Sequence, residues 1–181
     1  MVKINCDASI EISSDSAAIA AIIRNYSGII IGGDLKKIHF FSVNEAEAEA
    51  FRFDISCGCT GGFHNIIVES DNAGLIDRLR SKTFSIWNSA AIGKDILSSL
   101  GYFEFCFFSF VGRECNVAVD WVAKITRYNS CPSDWVVKPP QLSRLCCNLV
   151  CVMNAVLVLK KRIYISKWTW ERWLSVWVLE I

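Results

Sequence analysis

The sequence predicts an α/β fold built on a five-stranded mixed sheet, three antiparallel strands followed by two further strands, flanked by helices. Two observations lead there. The first forty residues carry three consecutive apolar runs, with turn residues between the second and third and no helical pattern among them, which favours an antiparallel meander over a βαβ start. From residue 42 onward helical patterns alternate with apolar runs, so the whole order reads βββ, α, β, α, α, β, α.

The first strand is expected at residues 2–6 and closes on Asp7, which places that acid at a strand's carboxyl end. The second is the small and β-branched run at residues 17–23. Arg24-Asn25-Tyr26-Ser27-Gly28 then supplies turn residues before Ile29-Ile30-Ile31 resumes the apolar character. Ser42 opens the first helix as N-cap with Glu45 at capping-box spacing, and Ala46, Ala48, Glu49 and Ala50 are mostly strong helix formers. That helix is expected to end near Cys57, before Gly58, Gly61 and Gly62 break it. The strand at residues 66–70 ends on Asp71, which is expected to open a second helix through Arg80; a third runs from about Trp87 to Leu100 and stops at Gly101. The aromatic run at residues 102–111 is too apolar for a bare edge, so helices should cover at least one of its faces. Arg113 to Arg127 makes the last helix, with Val117, Trp121 and Ile125 at four-residue spacing.

Composition sets outer limits. A chain of 181 residues, 52% hydrophobic and 20% charged with three prolines, is a folded one. Residues 1–140 hold 13 Lys/Arg against 16 Asp/Glu, a net −3, whereas residues 141–181 hold six against two, a net +4. The body therefore lacks the basic footprint that drives tight, sequence-independent nucleic-acid binding. The double proline at 139–140 marks a boundary, so residues 1–140 are read as one domain and 141–181 as an apolar and basic extension. In that extension residues 145–159 are apolar but hold Asn148 and Asn154, short of the ~20 residues that span a bilayer. Lys160-Lys161-Arg162 with Trp168, Trp170, Trp173 and Trp177 could lie on a membrane surface, pack on the domain, or be weakly selected sequence. No firm membrane association is expected, and the oligomeric state stays open. The nine cysteines are odd in number and sit mostly in apolar runs, which reads as buried free thiols. With Lys3, Asn5 and Asp7 interrupting any N-terminal apolar stretch, the expected setting is reducing, nuclear or cytoplasmic. Cys57, Cys59 and His64 lack a fourth ligand and match no structural zinc spacing.

The acids carry the functional reading. Asp7 and Asp71 close apolar runs, Glu47 lies in the first helical pattern and Asp120 in the last. Ligands and catalytic groups gather beyond the carboxyl ends of strands, where helices and loops converge on one edge. Glu45, Glu47 and Glu49 alternate on one helix, about 100° apart per residue, so they cannot all face one site.

Motif by motif, residues 1 to about 140 resemble the ribonuclease H-like domain of the plant reverse-transcriptase-like type found in retroelement-derived genes. The opening strand motif appears as Lys3-Ile4-Asn5-Cys6-Asp7-Ala8, and the hairpin motif as Arg24-Asn25-Tyr26-Ser27-Gly28. Ala46-Glu47-Ala48 and Glu69-Ser70-Asp71 match the next two, and the closing motif is similar to the stretch from Arg113 through Asn116 and Asp120 to Ala123-Lys124. Each motif alone is weak; their order makes the set specific.

The resemblance implies a ribonuclease H-like fold and hydrolysis of the RNA strand of an RNA–DNA hybrid by two divalent ions, Mg²⁺ or Mn²⁺, set about 4 Å apart. It assigns catalysis and metal binding to Asp7, Glu47, Asp71 and Asp120, with Glu49 as fallback for Glu47. Glu69 is read as a solvated charge or cap. Oxygen-only ligands suit such ions, and four clustered carboxylates would raise one another's pKa values unless cations neutralised them. Arg113 and Asn116 could touch phosphate or sugar, or could instead start and cap the last helix. Trp87, Trp121 and Trp135 are read as core. Active members carry a histidine six residues before the motif asparagine, and here that position is Phe110. Weak turnover is therefore expected, and the alternative is an inactive nucleic-acid-binding or protein-interaction module that keeps the fold.

Overall fold

The computed structural model describes residues 1–11, 13, 16–40, 42–83 and 90–137. Three strands come first, β1 (Val2–Glu11), β2 (Ser16–Arg24) and β3 (Ile30–His39), followed by helix α1 (Val43–Thr60) and strand β4 (Asn65–Ser70). Helices α2 (Ala73–Ser81) and α3 (Ala90–Ser99), a 3₁₀ turn at Leu100–Tyr102, strand β5 (Phe105–Phe110) and helix α4 (Arg113–Arg127) complete the order. The sheet order is β3-β2-β1-β4-β5. β1 pairs antiparallel with β2 and β2 with β3, while β4 runs parallel to both β1 and β5.

The meander is set by its turn: the Asn25 side chain accepts the Ser27 and Ile29 amides, both at 3.0 Å, and Gly28 takes the left-handed φ of 78°. β2 is buried on both faces because alternate residues feed two cores. Ile19, Ala21 and Ile23 join Ile4, Phe51, Ile55, Ile66, Leu75 and Ile96 in the core shared with α1, α2 and α3. Ala20 and Ile22 meet Val119, Val122, Ala123 and Trp135 in the core under α4. Helices thus cover both faces of the sheet.

Several boundaries differ from the sequence expectation. β1 continues past Asp7 to Glu11, since Asp7 to Glu11 keep antiparallel partners on β2 after the parallel pairing with β4 has ended at Asn5↔Glu69. Gly58 does not break α1; it is buried, and a Cβ there would stand 3.2 Å from the Phe103 ring and 3.3 Å from Ile4, so it permits close packing. α2 starts after Asp71, with the Asn72 side chain accepting the Leu75 amide at 2.9 Å. Ser42 does cap α1, accepting the Glu45 amide at 3.2 Å. Tyr102–Glu104 lie outside β5, which is one of the sheet's two edge strands and half-buried along most of its length. The buried face of α4 holds Asn116, Ala118, Val119, Val122, Ala123 and Thr126, offset from the Val117–Trp121–Ile125 row, and Val117 is exposed.

Of the cysteines described, all six are free, but only Cys6 is fully buried; the other five are half-buried. Cys57 and Cys59 ride on α1, and exposed His64 stacks on Tyr102 at 5.3 Å. Trp135 is buried against Gly33, where a Cβ would come within 2.4 Å of its ring. Trp121 is half-buried beside it, which makes both core residues. Trp87, the start of the third helix and the whole 141–181 extension lie outside the described residues. Among the described residues no helix is long and apolar enough to cross a membrane.

Candidate active site

The edge where β4 stops and β1 runs on brings the predicted acids together. Asp7 is the sixth residue of β1, two beyond its last parallel partner, and its Oδ1 accepts the Ala8 amide at 2.9 Å. Asp71 follows the last residue of β4, Glu47 lies in the second turn of α1, and Asp120 sits midway along α4. Their electrostatics report the convergence. Burial and then the charges of Glu47, Asp71 and Asp120 push the Asp7 carboxyl up to about 8, against a small lowering by the Ala8 amide. Burial and Asp71 push Glu47 up to about 7, with Arg113 pulling the other way. Each of the other three acids therefore acts on Asp7. Glu49 is engaged elsewhere, paired with Arg52 at 2.7 Å, and Arg52 also reaches Asp95 on α3 at 3.3 Å.

Two cations already lean on the cluster. Arg113 Nε lies 3.5 Å from Asp71 Oδ2, and Lys124 Nζ lies 2.7 Å from Asp120 Oδ2. As the side chains stand, no three His, Cys, Asp or Glu among the described residues are gathered closely enough to hold a metal ion. The donor chemistry nonetheless fits: four carboxylates supply the oxygens that hard divalent cations take. The repulsion that raises Asp7 and Glu47 is what a bound cation relieves.

Beneath these acids lies a polar network that the sequence reading missed. Glu69, expected at the surface, is buried with Arg24, their side chains 5% and 3% exposed. Register explains the meeting: Lys3 is opposite Arg24, and Asn5 is opposite Glu69. Glu69 takes Lys3 Nζ at 2.7 Å, Arg24 Nη2 at 3.2 Å and Asn5 Nδ2 at 3.3 Å, while Arg24 Nη2 also donates to Asn5 Oδ1. Arg24, expected in the turn, is the last residue of β2.

Asn116 is neither a cap nor a surface contact. Gly112 is the N-cap of α4, and Asn116, 2% exposed, donates to the Cys6 carbonyl at 2.9 Å and to Asp71 Oδ1 at 3.3 Å. Arg113, by contrast, is 93% exposed at the mouth of the site. Phe110, where the resemblance implies a histidine, ends β5 with half its surface in solvent, 51% exposed.

Asp54 was also missed. It is fully buried on α1 beside the Cys6 thiol, and neither carboxyl oxygen meets a hydrogen-bond donor at ordinary geometry. Burial pushes its carboxyl well above the usual carboxylate range, and the Cys6 thiol is raised in turn by burial and by Asp54.

Comparison with known proteins agrees with this architecture. The chain is similar in structure to RNase H1 from the halophilic archaeon Halobacterium salinarum NRC-1, with 18% identity, TM-score 0.65, and 71% of this chain and 98% of that one covered. It is also similar to LC11-RNase H1 in complex with an RNA/DNA hybrid, at 17% identity and TM-score 0.57, covering 72% of this chain and 100% of that one. A third similarity is to the protease-reverse transcriptase of prototype foamy virus, at 14% identity and TM-score 0.56, covering 70% of this chain and 21% of that longer one. No curated protein matches the chain. The sequence profile of the reverse transcriptase-like family matches residues 5–126. A match over more than half of the chain, together with the five-stranded sheet and its flanking helices, makes this protein a member of the reverse transcriptase-like family with a ribonuclease H-like fold.

Proposed function

We propose that this protein is a divalent-metal-dependent endonuclease of the ribonuclease H type that hydrolyses the RNA strand of an RNA–DNA hybrid. The observation that carries the reading is the convergence of three acids on Asp7, from α1, the end of β4 and α4. Asp7 and Asp71 would bind Mg²⁺ or Mn²⁺ most directly, with Glu47 and Asp120 each serving one of two ions. Such ions, when bound, supply charge neutralisation and Lewis-acid polarisation of the scissile phosphate. The chain's own residues do the rest. Asp7 and Glu47 hold protons near neutral pH and must release them to ligate, so cation binding is linked to proton release. Arg113, exposed at the mouth, contacts the substrate backbone, and its withdrawal from Asp71 leaves that carboxylate to the cation. Recognition of the hybrid rests on 2′-hydroxyls and groove shape rather than base sequence. The hybrid held by the LC11 enzyme supports this choice of substrate class.

Phe110 favours a second reading, a module that binds nucleic acid without cutting it. General acid–base assistance is worth about 10² to 10⁴ in rate, so a chain with Phe110 turns over slowly at best. Cleavage of a labelled RNA–DNA hybrid by the full chain, with Mg²⁺ and with Mn²⁺ and beside Asp71→Asn, decides between them. Cleavage that the variant abolishes is the expected result. No cleavage by a folded, Mn²⁺-binding protein makes the binding module the better reading.

A further inference from the structure

We propose that Asn116 is a positioning residue for the acid site, oriented by a buried chain of side chains that runs from Glu69 through Asn5 and is anchored by Arg24 and Lys3. This inference rests on the nuclease reading of the four acids.

The geometry is specific. Asn116 uses its whole carboxamide: Nδ2 donates to the Cys6 carbonyl at 2.9 Å and to Asp71 Oδ1 at 3.3 Å, and Oδ1 accepts Asn5 Nδ2 at 3.2 Å. Cys6 immediately precedes Asp7, so one side chain fixes the backbone ahead of one acid and the carboxylate of another. The amide orientation follows from its partners, since a backbone carbonyl and a carboxylate both require a donor. Asn5 is oriented the same way, giving Nδ2 to Glu69 and Asn116 and taking Arg24 on Oδ1. Glu69 in turn is held by two cations, Lys3 and Arg24.

A role in packing does not account for this arrangement. Leucine would fill a similar volume on the buried face of α4 without needing three polar partners. Nor does Asn116 reach substrate, because it is 2% exposed and its donors are committed. The carboxamides of Asn5 and Asn116 are engaged at both ends, and polar networks joined in this way hold one geometry. Partners that orient a ligating carboxylate are worth about 10- to 100-fold in metal affinity or activity.

The test is calorimetric titration of the full chain with Mn²⁺ for wild type, Asp71→Asn and Asn116→Leu, with circular dichroism of each sample to establish folding. The expected result is binding by wild type, loss in Asp71→Asn, and affinity about 10- to 100-fold weaker in folded Asn116→Leu. Wild-type affinity in folded Asn116→Leu overturns the positioning role and leaves the nuclease reading intact. No cation binding by wild type, or none lost in Asp71→Asn, overturns that reading and the positioning role with it. If Asn116→Leu does not fold, the side-chain amide resonances of Asn116 decide the matter: a shift on Asp71→Asn in metal-free protein supports the contact, and insensitivity to that substitution overturns it.

Discussion

Replacing Asp7 by Asn should stabilise the metal-free protein at neutral and alkaline pH, although it removes a polar contact. The Asp7 carboxyl is raised to about 8 and that of Glu47 to about 7, whereas in the unfolded chain both return to about 4. Because the folded values are the higher ones, the folded chain holds extra protons between them; the associated stability is full below about pH 4 and is lost as pH rises to about 8. At about 1.4 kcal/mol per unit, the Asp7 shift alone corresponds to about 5 kcal/mol, and the smaller Glu47 shift, which arises from burial and Asp71, adds to it. Carboxylates of ordinary acidity are ionised above about pH 5.5. Urea unfolding in the presence of a chelator, from about pH 5.5 to 8.5, therefore isolates the cluster. Subtracting the same series for Asp7→Asn cancels the contributions of groups outside the cluster, Asp54 among them. Wild type should lose stability across the window, the variant should lose much less and overtake it at the alkaline end, and saturating Mg²⁺ should restore wild type alone. Wild-type stability that is flat or rising across the window, or a variant weaker than wild type at pH 8, would refute the mutual repulsion on which the site is built.

Three further outcomes are expected. Glu69→Gln removes the carboxylate that meets buried Arg24 at 3.2 Å and should cost about 3–5 kcal/mol in urea unfolding, where a surface glutamate would cost almost nothing. Asp54→Leu removes a buried acid whose oxygens meet at most the weak donor of the Cys6 thiol and should gain about 1–2 kcal/mol at pH 7. That gain should grow as pH rises, since a carboxyl raised by burial makes its stabilising contribution in the protonated form. Phe110→His places an imidazole at a half-exposed position beside the site and should raise hybrid cleavage about 10²-fold, read as kcat with Mg²⁺; an unchanged rate would show that no proton transfer limits turnover there.

The sheet was legible where local chemistry acts alone. The Asn25 turn and the Ser42 cap follow from residues within a few positions of one another. What escaped depends on partners distant in sequence. Gly58 reads as a helix breaker until Phe103 and Ile4 are seen packed against it. The Val117–Trp121–Ile125 row is the more apolar by residue type, yet the buried face of α4 uses small residues and Asn116, because the helix lies close over β1 and β2 and the carboxamide finds partners there. The end of β1 was placed at Asp7 because the apolar run stops there, whereas the strand's length is set by pairing with β2.

The four acids were legible because their motifs are local and ordered; the network beneath them was not, because it exists only through register. Lys3 meets Arg24 across one antiparallel pair and Asn5 meets Glu69 across one parallel pair, so three strands deliver four polar side chains to a single buried spot. The charges there do not serve to neutralise the site. The largest influences on Asp7 are burial, Glu47, Asp71 and Asp120, and its carboxyl remains raised although buried Arg24 and half-buried Lys3 sit on Glu69 beneath it. Lys3 and Arg24 direct their charge to Glu69, and Glu69 passes on only the orientation of Asn5, which Asn116 relays to Asp71. On the nuclease reading, repulsion among the acids is left for a bound cation to relieve, while the backbone that carries Asp7 and the carboxylate of Asp71 are held in place beforehand.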